Sequence, residues 1–139
     1  MKATKKELIA ACNNMCKNTL MQTLSIEFID VTDTAVVARM PVTSKVHQPD
    51  GVLHGGASVA LAESVGSAGA FLFLQSDAAV IRGIEISANH VKSVKDGFVY
   101  AKAAILHKGR TTQLWQIRIT NEADELVSLV KLTTLTMKK

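Results

Sequence analysis

One segment of small and apolar residues, from Gly56 to about Gln75, constrains the fold of this chain most. Its residue pattern has the period of a helix, so we expect one long helix there. Gly66 and Gly69 each weaken a helix by up to about 1 kcal/mol, and close approach of another backbone is the natural compensation. A slender helix of this kind suits a strongly curved sheet on one side and a second copy of the helix on another.

Only one other helix is expected, over residues 4 to 18. Before the long helix, alternating apolar positions predict a hairpin with a turn at Asp33 and Thr34, followed by a loop over 41 to 53. The alternating positions are Leu24, Ile26 and Phe28 before the turn and Val36, Ala38 and Met40 after it.

Four more strands are expected after the long helix, at 79–93, 97–107, 112–121 and 126–137. Asp96-Gly97 predicts a hairpin between the first two, and the segment from Asn121 to Glu125 separates the last two. Strands in series with one long helix predict an antiparallel sheet packed on that helix, because parallel strands would need more crossover helices. We therefore expect a single α+β domain over residues 1–139.

Charge and composition exclude several classes of protein. Sixteen basic and twelve acidic residues leave a net charge of +4, which is modest for a nucleic-acid binder, and aromatic residues make up only 4%. Residues 57 to 74 are long enough to cross a bilayer, but Glu63 and three serines interrupt them. Cys12 and Cys16 lie four apart without a second pair or a nearby histidine. We therefore expect a cytoplasmic protein with no nucleic-acid partner, no membrane partner and no metal.

The start of the long helix is a candidate anion site. Gly55 and Gly56 leave the first amide N–H groups unshielded, and the positive end of the helix dipole stabilises an oxyanion that develops on a carbonyl. The alternative is a plain glycine turn that His54 caps.

Glu63 is the one carboxylate in the long helix, with small or apolar residues at every helical contact distance. A carboxylate in such surroundings either pairs with another group or is favoured in its neutral form. Both states are used by catalytic carboxyl groups. The alternative is a buried ion pair with one of the basic residues. Ser67 and Phe71 follow on the same stripe and would place a hydroxyl and a ring beside the carboxylate, although both are also common packing residues.

The helix rise adds a constraint. Gly55 and Glu63 are separated by about 12 Å along one helix, at roughly 1.5 Å per residue. A carboxylate that attacks a carbonyl sits about 3 Å from it, so one chain cannot bring both groups to one substrate. We therefore expect a homodimer with shared active sites, related by a two-fold axis.

The stretch around the start of this helix resembles the corresponding stretch of hotdog-fold acyl-CoA thioesterases. It is most similar to the branch that hydrolyses 1,4-dihydroxy-2-naphthoyl-CoA and hydroxybenzoyl-CoA. The matching residues are Gln48-Pro49, Gly51 to Ser58, Leu61 to Ser64, Glu85-Ile86, Ala88 to His90, His107, Gly109-Arg110, Trp115 to Ile117 and Leu132 to Thr134. The resemblance covers almost the whole chain. It implies a curved antiparallel sheet wrapped around one central helix, hydrolysis of an acyl-CoA to free acid and CoA without a cofactor, and a dimer of dimers.

The resemblance also implies residue roles. Glu63 would be the catalytic carboxylate, acting as nucleophile or general base. Gln48 and the Gly55 N–H would polarise the thioester carbonyl, His54 would support their loop, and Ser67 would position water. The residues that would touch CoA are Gly83, His90, Val91, Lys92, Ser93, His107, Lys108, Gly109 and Arg110. Apart from the resemblance, the helical stripe that holds Glu63 places Phe71 at a candidate ring-binding pocket for the acyl group.

Basic side chains among these residues suit the phosphates of CoA, although the same side chains are also ordinary solvated residues of strand faces. Two positions depart from the family pattern: Asp50 replaces an aromatic residue and Arg82 a small aliphatic one. We expect an aromatic acyl group. Two rivals stay open, namely a hotdog dehydratase, whose proline-rich His loop is absent here, and a non-catalytic acyl-CoA sensor, which would not need Glu63.

Overall fold

The computed structural model describes residues 2–74 and 79–138, and within them six strands form one antiparallel sheet. The strands are β1 (Glu27–Val31), β2 (Ala35–Pro41), β3 (Ala79–His90), β4 (Phe98–Lys108), β5 (Thr112–Thr120) and β6 (Leu126–Lys138). Their order across the sheet is β1-β2-β4-β5-β6-β3, so β1 and β3 are the two edges. The helices are α1 (Lys5–Met15), α2 (Leu20–Thr23) and α3 (Gly55–Leu74), with a 3-10 turn at Ser44–Val46.

Helix α3 packs inside the curve of the sheet and contacts β2 to β6. Its glycines permit the contact, because a β-carbon at Gly66 would lie 2.6 Å from Leu132 Cδ2 and one at Gly69 would lie 2.8 Å from the Trp115 ring. Trp115 and Leu132 are fully buried, so they fill the space that the small residues leave. Bulges in four of the five strand pairings add twist to the sheet. The expected hotdog architecture and the close approach on the sheet side of α3 are confirmed.

The N-terminal segment differs from the expected helix over residues 4 to 18. A capping box at Thr4 begins α1, but the chain leaves α1 early and turns at Asn18, whose φ is +62°. Thr19 then caps the short helix α2, which the apolar pattern did not predict. The prediction that Leu24 belongs to a strand is wrong, because Leu24 is the C-cap of α2 and β1 starts after it.

The hairpin predicted at Asp96-Gly97 is also wrong. Strand β3 pairs with β6, whereas β4 pairs with β2 and β5. Gly97 does adopt a left-handed turn with φ of +74°, but this turn leads the chain into β4 instead of joining two paired strands. The Val94 carbonyl, in the connection between β3 and β4, accepts a hydrogen bond of 2.8 Å from the Leu53 N–H. This connection therefore packs against the loop before α3.

The other boundaries agree with expectation to within a few residues. The turn at Asp33 and Thr34 joins β1 to β2, and the turn from Asn121 to Glu125 joins β5 to β6. Strand β3 stops at His90, so the end of the expected 79–93 strand lies in the connection that follows. The expected helix end at Gln75 falls outside the described residues.

In the described part of the chain, α3 is the one helix with the length and apolar composition of a membrane span. Eight of its residues are buried by the sheet, which accounts for its apolar character without a lipid environment. The cytoplasmic location stays a prediction.

Candidate active site

The loop before α3 holds Gln48 next to the start of the helix. The Gly51 N–H donates a hydrogen bond of 2.9 Å to the Gln48 carbonyl and closes a tight turn, in which Gly51 has a φ of +82°. The His54 N–H donates a hydrogen bond of 2.8 Å to the Val46 carbonyl. A glycine is favoured at position 51 because other residues rarely adopt this backbone conformation.

The start of α3 offers one free amide donor. The Gly56 N–H donates a hydrogen bond of 2.8 Å to His54 Nδ1, and the His54 carbonyl accepts the Ala57 and Ser58 N–H groups at 3.0 and 3.3 Å. His54 therefore caps the helix, as one of the two sequence interpretations proposed. Across residues 2–74 and 79–138, the Gly55 N–H has no acceptor. Of the amide groups expected to bind an anion at this helix start, the Gly55 N–H is therefore the one that stays available.

A cavity of about 310 Å³ opens beside this donor, and we name it the Gly55 cavity. Its lining residues are Gln48, Val52, Leu53, Gly55, Ser58, His90, Val91, Lys92, Ser93, Val127 and Ser128. The structure thus brings the two groups expected to polarise a carbonyl, Gln48 and Gly55, together with residues 90–93, which are expected to touch CoA. His54 is not among the lining residues, because its ring is turned to the helix cap.

His90 fits tightly against the glycine at the start of α3. A β-carbon at Gly55 would lie only 2.8 Å from His90 Nε2, so a side chain at position 55 would displace the ring. On the other side of the ring, His90 Nδ1 lies 2.7 Å from the hydroxyl oxygen of Ser128. The two residues face each other across β3 and β6, and Ser128 is fully buried.

Asp50 contacts Gln48. The Gln48 side-chain Nε2 donates a hydrogen bond of 2.8 Å to Asp50 Oδ1, which turns the amide so that its NH₂ group is on the Asp50 side. Asp50 is exposed and lies outside the walls of the larger cavity described next. Asp50 therefore contacts Gln48, which is expected to polarise the carbonyl, whereas Arg82, the other position that departs from the family pattern, lines that larger cavity.

A second cavity, of about 650 Å³, contains Glu63, and we name it the Glu63 cavity. Its lining residues are Cys12, Met15, Thr19, Leu20, Met21, Phe28, Glu63, Ser64, Ser67, Ala68, Phe71 and Ala79 to Arg82. The predicted stripe of Glu63, Ser67 and Phe71 therefore faces one space. Most of the other walls are apolar, and α1 and α2 close one side of the cavity.

Glu63 is partly buried, and its carboxylate forms no ion pair with any basic side chain of the described residues. The structure therefore does not show the buried ion pair that the sequence left open. The carboxylate lines the open cavity instead, where water or a substrate can reach it. Its Oε2 is also in close contact with Gly83: a β-carbon at Gly83 would overlap this oxygen and lie 3.2 Å from Glu63 Cδ.

The Glu63 cavity and the Gly55 cavity have no lining residue in common. The carboxylate and the free amide donor therefore belong to separate spaces of one chain, about 12 Å apart along α3. This arrangement agrees with the constraint drawn from the helix rise.

The residues expected to touch CoA also fall into two groups. Residues 90–93 line the Gly55 cavity, where Lys92 Nζ lies 3.4 Å from Glu125 Oε2 in an exposed pair. Residues 107–110 lie at the turn between β4 and β5, where Lys108 Nζ is 3.5 Å from the Phe73 carbonyl. Phe73 is near the other end of α3, about 27 Å from Gly55 along the axis. One chain therefore holds the two groups at opposite ends of its central helix.

Several residues of these cavities were not predicted from the sequence. Met15, Leu20 and Met21 line the Glu63 cavity, and their only signal was the apolar pattern of the N-terminal segment. Cys12 also lines it, and burial, with a smaller contribution from the neighbouring Cys16, raises the pKa of its thiol. No feature of the sequence predicted that Ser128 lines a cavity, because it is one serine among the residues of a strand.

Comparison with known proteins places this geometry in a family. The model of the thioesterase superfamily matches residues 50–128. A 1,4-dihydroxy-2-naphthoyl-CoA hydrolase of Listeria monocytogenes is 43% identical over 120 residues, which are 86% of this chain and 97% of the relative. The proofreading thioesterase EntH of Cronobacter turicensis is 40% identical over 129 residues, with 93% of each protein covered. The crystal structure of a mutant thioesterase from Pseudomonas aeruginosa superposes with a TM-score of 0.92 at 37% identity, covering 94% of both chains. The chain therefore belongs to the thioesterase superfamily, as a hotdog-fold enzyme that hydrolyses thioesters.

Proposed function

We propose that the protein hydrolyses an aromatic acyl-CoA, such as 1,4-dihydroxy-2-naphthoyl-CoA or a hydroxybenzoyl-CoA, to the free acid and CoA. The observation that carries the proposal is the Glu63 carboxylate, which has no ion-pair partner within the described residues and lines a largely apolar cavity of about 650 Å³. A cavity of this size accommodates a fused aromatic ring system. The name of the Listeria relative supports the naphthoyl substrate, and with it a role in menaquinone biosynthesis.

In the proposed reaction, Glu63 either attacks the thioester carbonyl carbon or removes a proton from the water that attacks it. Negative charge then develops on the carbonyl oxygen, where the Gly55 N–H and the Gln48 amide stabilise it. The carbon–sulfur bond breaks and CoA leaves as a thiolate, which takes up a proton. If Glu63 attacked the carbonyl carbon, water then hydrolyses the mixed anhydride, which releases the free acid and regenerates the carboxylate. Ser67, one helical turn from Glu63, is suited to hold the attacking water. No step requires a cofactor.

We further propose that each active site is formed by two subunits. The Glu63 cavity of one chain and the Gly55 cavity of another would combine if two α3 helices ran antiparallel across a two-fold axis. Such an arrangement brings the N-terminal end of one helix to the middle of the other, where Glu63 lies. It would also bring residues 90–93 of one subunit toward residues 107–110 of its partner, so that both groups reach one CoA. A dimer of dimers is the expected assembly.

The experiment is thiol release from a panel of aromatic and aliphatic acyl-CoAs by the wild type and by Glu63→Gln. We expect one aromatic ester to exceed the aliphatic esters by at least about tenfold in kcat/KM. Glu63→Gln should lower kcat by about two to four orders of magnitude, with acyl-CoA binding within a few fold of wild type. Retention of more than a tenth of the wild-type rate would remove Glu63 from the mechanism. Equally slow release from every ester would contradict the proposed aromatic substrate.

A further inference from the structure

The buried hydroxyl of Ser128 determines which nitrogen of His90 carries the proton. Ser128 is fully buried, and its Oγ lies 2.7 Å from His90 Nδ1. No other side-chain hydrogen bond of this hydroxyl is present in the described residues. The hydroxyl hydrogen of a buried serine needs an acceptor, and His90 Nδ1 is the one available. Nδ1 must therefore be unprotonated, which places the proton of the neutral ring on Nε2.

The reverse arrangement is less favourable. If Nδ1 carried the proton and donated it to Ser128 Oγ, the serine hydrogen would be left without a partner in a position that water does not reach. An unsatisfied buried donor is destabilising, so the pair favours the Nε2–H form. The histidine ring is thus oriented by a group that makes no contact with solvent.

The Nε2–H of His90 is directed to the start of α3. Nε2 lies beside the α-carbon of Gly55, at the place where a β-carbon would be only 2.8 Å away. Within residues 2–74 and 79–138, Nε2 has no hydrogen-bond partner, and His90 lines the same cavity as Gln48 and Gly55. Two unpaired N–H donors, one from the backbone and one from the ring, therefore occupy neighbouring positions in the Gly55 cavity.

We propose that His90 donates its Nε2–H to the thioester carbonyl oxygen, next to the Gly55 N–H, and that Ser128 is the positioning residue that holds His90 in the required tautomer. This inference rests on the proposed function, because it names a further donor for the same carbonyl. It assigns His90 to the reacting group instead of the distant phosphates of CoA.

A matched pair of substitutions tests the contact with the carbonyl. The amide nitrogen of glutamine can occupy the place of His90 Nε2, whereas the shorter asparagine reaches only the place of Nδ1. His90→Asn should lower kcat about 100-fold with KM within a few fold, as expected for loss of one oxyanion donor. His90→Gln should keep at least about a tenth of the wild-type kcat. Equal losses in both variants, or a rise in KM with kcat unchanged, would overturn the assignment.

Ser128 is tested through the tautomer and through coupling. Nitrogen-15 NMR should show a protonated Nε2 and an unprotonated Nδ1 for His90 in the wild type and in Ser128→Thr, and a mixture in Ser128→Ala. Ser58→Ala is the control, because it removes another buried hydroxyl of the same cavity and should leave both nitrogen signals unchanged. Ser128→Ala should lower kcat about tenfold in the wild type but not in the His90→Asn background. A loss of the same size in both backgrounds would show that Ser128 acts only on the fold.

The spectrum also separates this inference from the proposed function. The tautomer is measured without turnover, and a ketone analogue of the acyl-CoA, in which a methylene replaces the thioester sulfur, should shift the His90 Nε2–H resonance on binding. An unshifted resonance with the analogue bound would refute the contact even if the protein hydrolyses thioesters. Absence of hydrolysis in the wild type, together with a shifted resonance, would refute only the proposed reaction.

Discussion

Gly83→Ala tests whether the position of the Glu63 carboxylate is set by the strand behind it. A β-carbon at Gly83 would overlap Glu63 Oε2 and lie 3.2 Å from Cδ, which is closer than ordinary carbon–carbon contact. The carboxylate would have to move by roughly 0.5 to 1 Å or leave its preferred rotamer. The effect on folding should be small, because Gly83 is exposed and the displaced group can move into the open cavity.

The magnitude follows from this displacement. A misplacement of about 1 Å in a reacting group commonly lowers the rate about 100-fold. We therefore expect kcat of Gly83→Ala to fall about 100-fold, with KM and melting temperature near those of the wild type. The measurement is steady-state thiol release, with thermal unfolding followed in parallel.

Gly69→Ala is the matched control. Its β-carbon would lie 2.8 Å from the buried Trp115 ring, so the substitution crowds the core instead of the carboxylate. Overpacking of this kind costs about 1 to 3 kcal/mol of stability and should lower the melting temperature while the folded enzyme keeps its rate. If Gly83→Ala raises KM and spares kcat, Gly83 touches the substrate, as the family resemblance implies, and the argument from Glu63 is wrong.

Three further predictions concern assembly, CoA binding and the thiols. Glu63→Ala and Gly55→Val should each be inactive. Exchange of subunits between the two variants should restore up to about a quarter of wild-type activity, because half of the dimers would be heterodimers with one intact site of two. Heterodimers that mass spectrometry detects but that stay inactive would refute the shared site. Lys92→Ala and Arg110→Ala should raise KM for all CoA esters alike, and added salt should weaken wild-type binding; a change confined to one acyl group would contradict phosphate contact. Burial raises the pKa of Cys12, so this thiol should stay protonated at pH 8. It should therefore react with a thiol reagent far more slowly in the folded than in the unfolded protein. Equal reaction rates in the two states would show that Cys12 is not buried.

Features that depend on local chemistry were predictable. The small residues of α3 indicated close packing, and Gly66 and Gly69 do lie against large buried side chains. The separation of Gly55 from Glu63 needed only the rise of a helix, and the two residues indeed line different cavities.

Features that depend on contacts between residues far apart in the sequence were not predictable. Asp96-Gly97 signals a tight turn, but the pairing of β3 with β6 is decided by contacts far away in the sequence. The pairing of Ser128 with His90 has the same origin, because it exists only once these two strands are adjacent. Likewise, the sequence left Glu63 open to an ion pair, and only the three-dimensional arrangement places its carboxylate beside an open cavity.

The position of β3 at the edge of the sheet affects how the chain behaves when it is alone. Among the residues that the structure describes, no strand lies beside one side of this 12-residue strand, and Ile84 on it is 54% exposed. A long open edge of this kind presents a row of unpaired backbone groups that can recruit strands from other molecules. The other edge, β1, has only five residues and is flanked by α1. A chain whose β3 edge is not covered by a partner should therefore be prone to aggregate through β3 as its concentration rises.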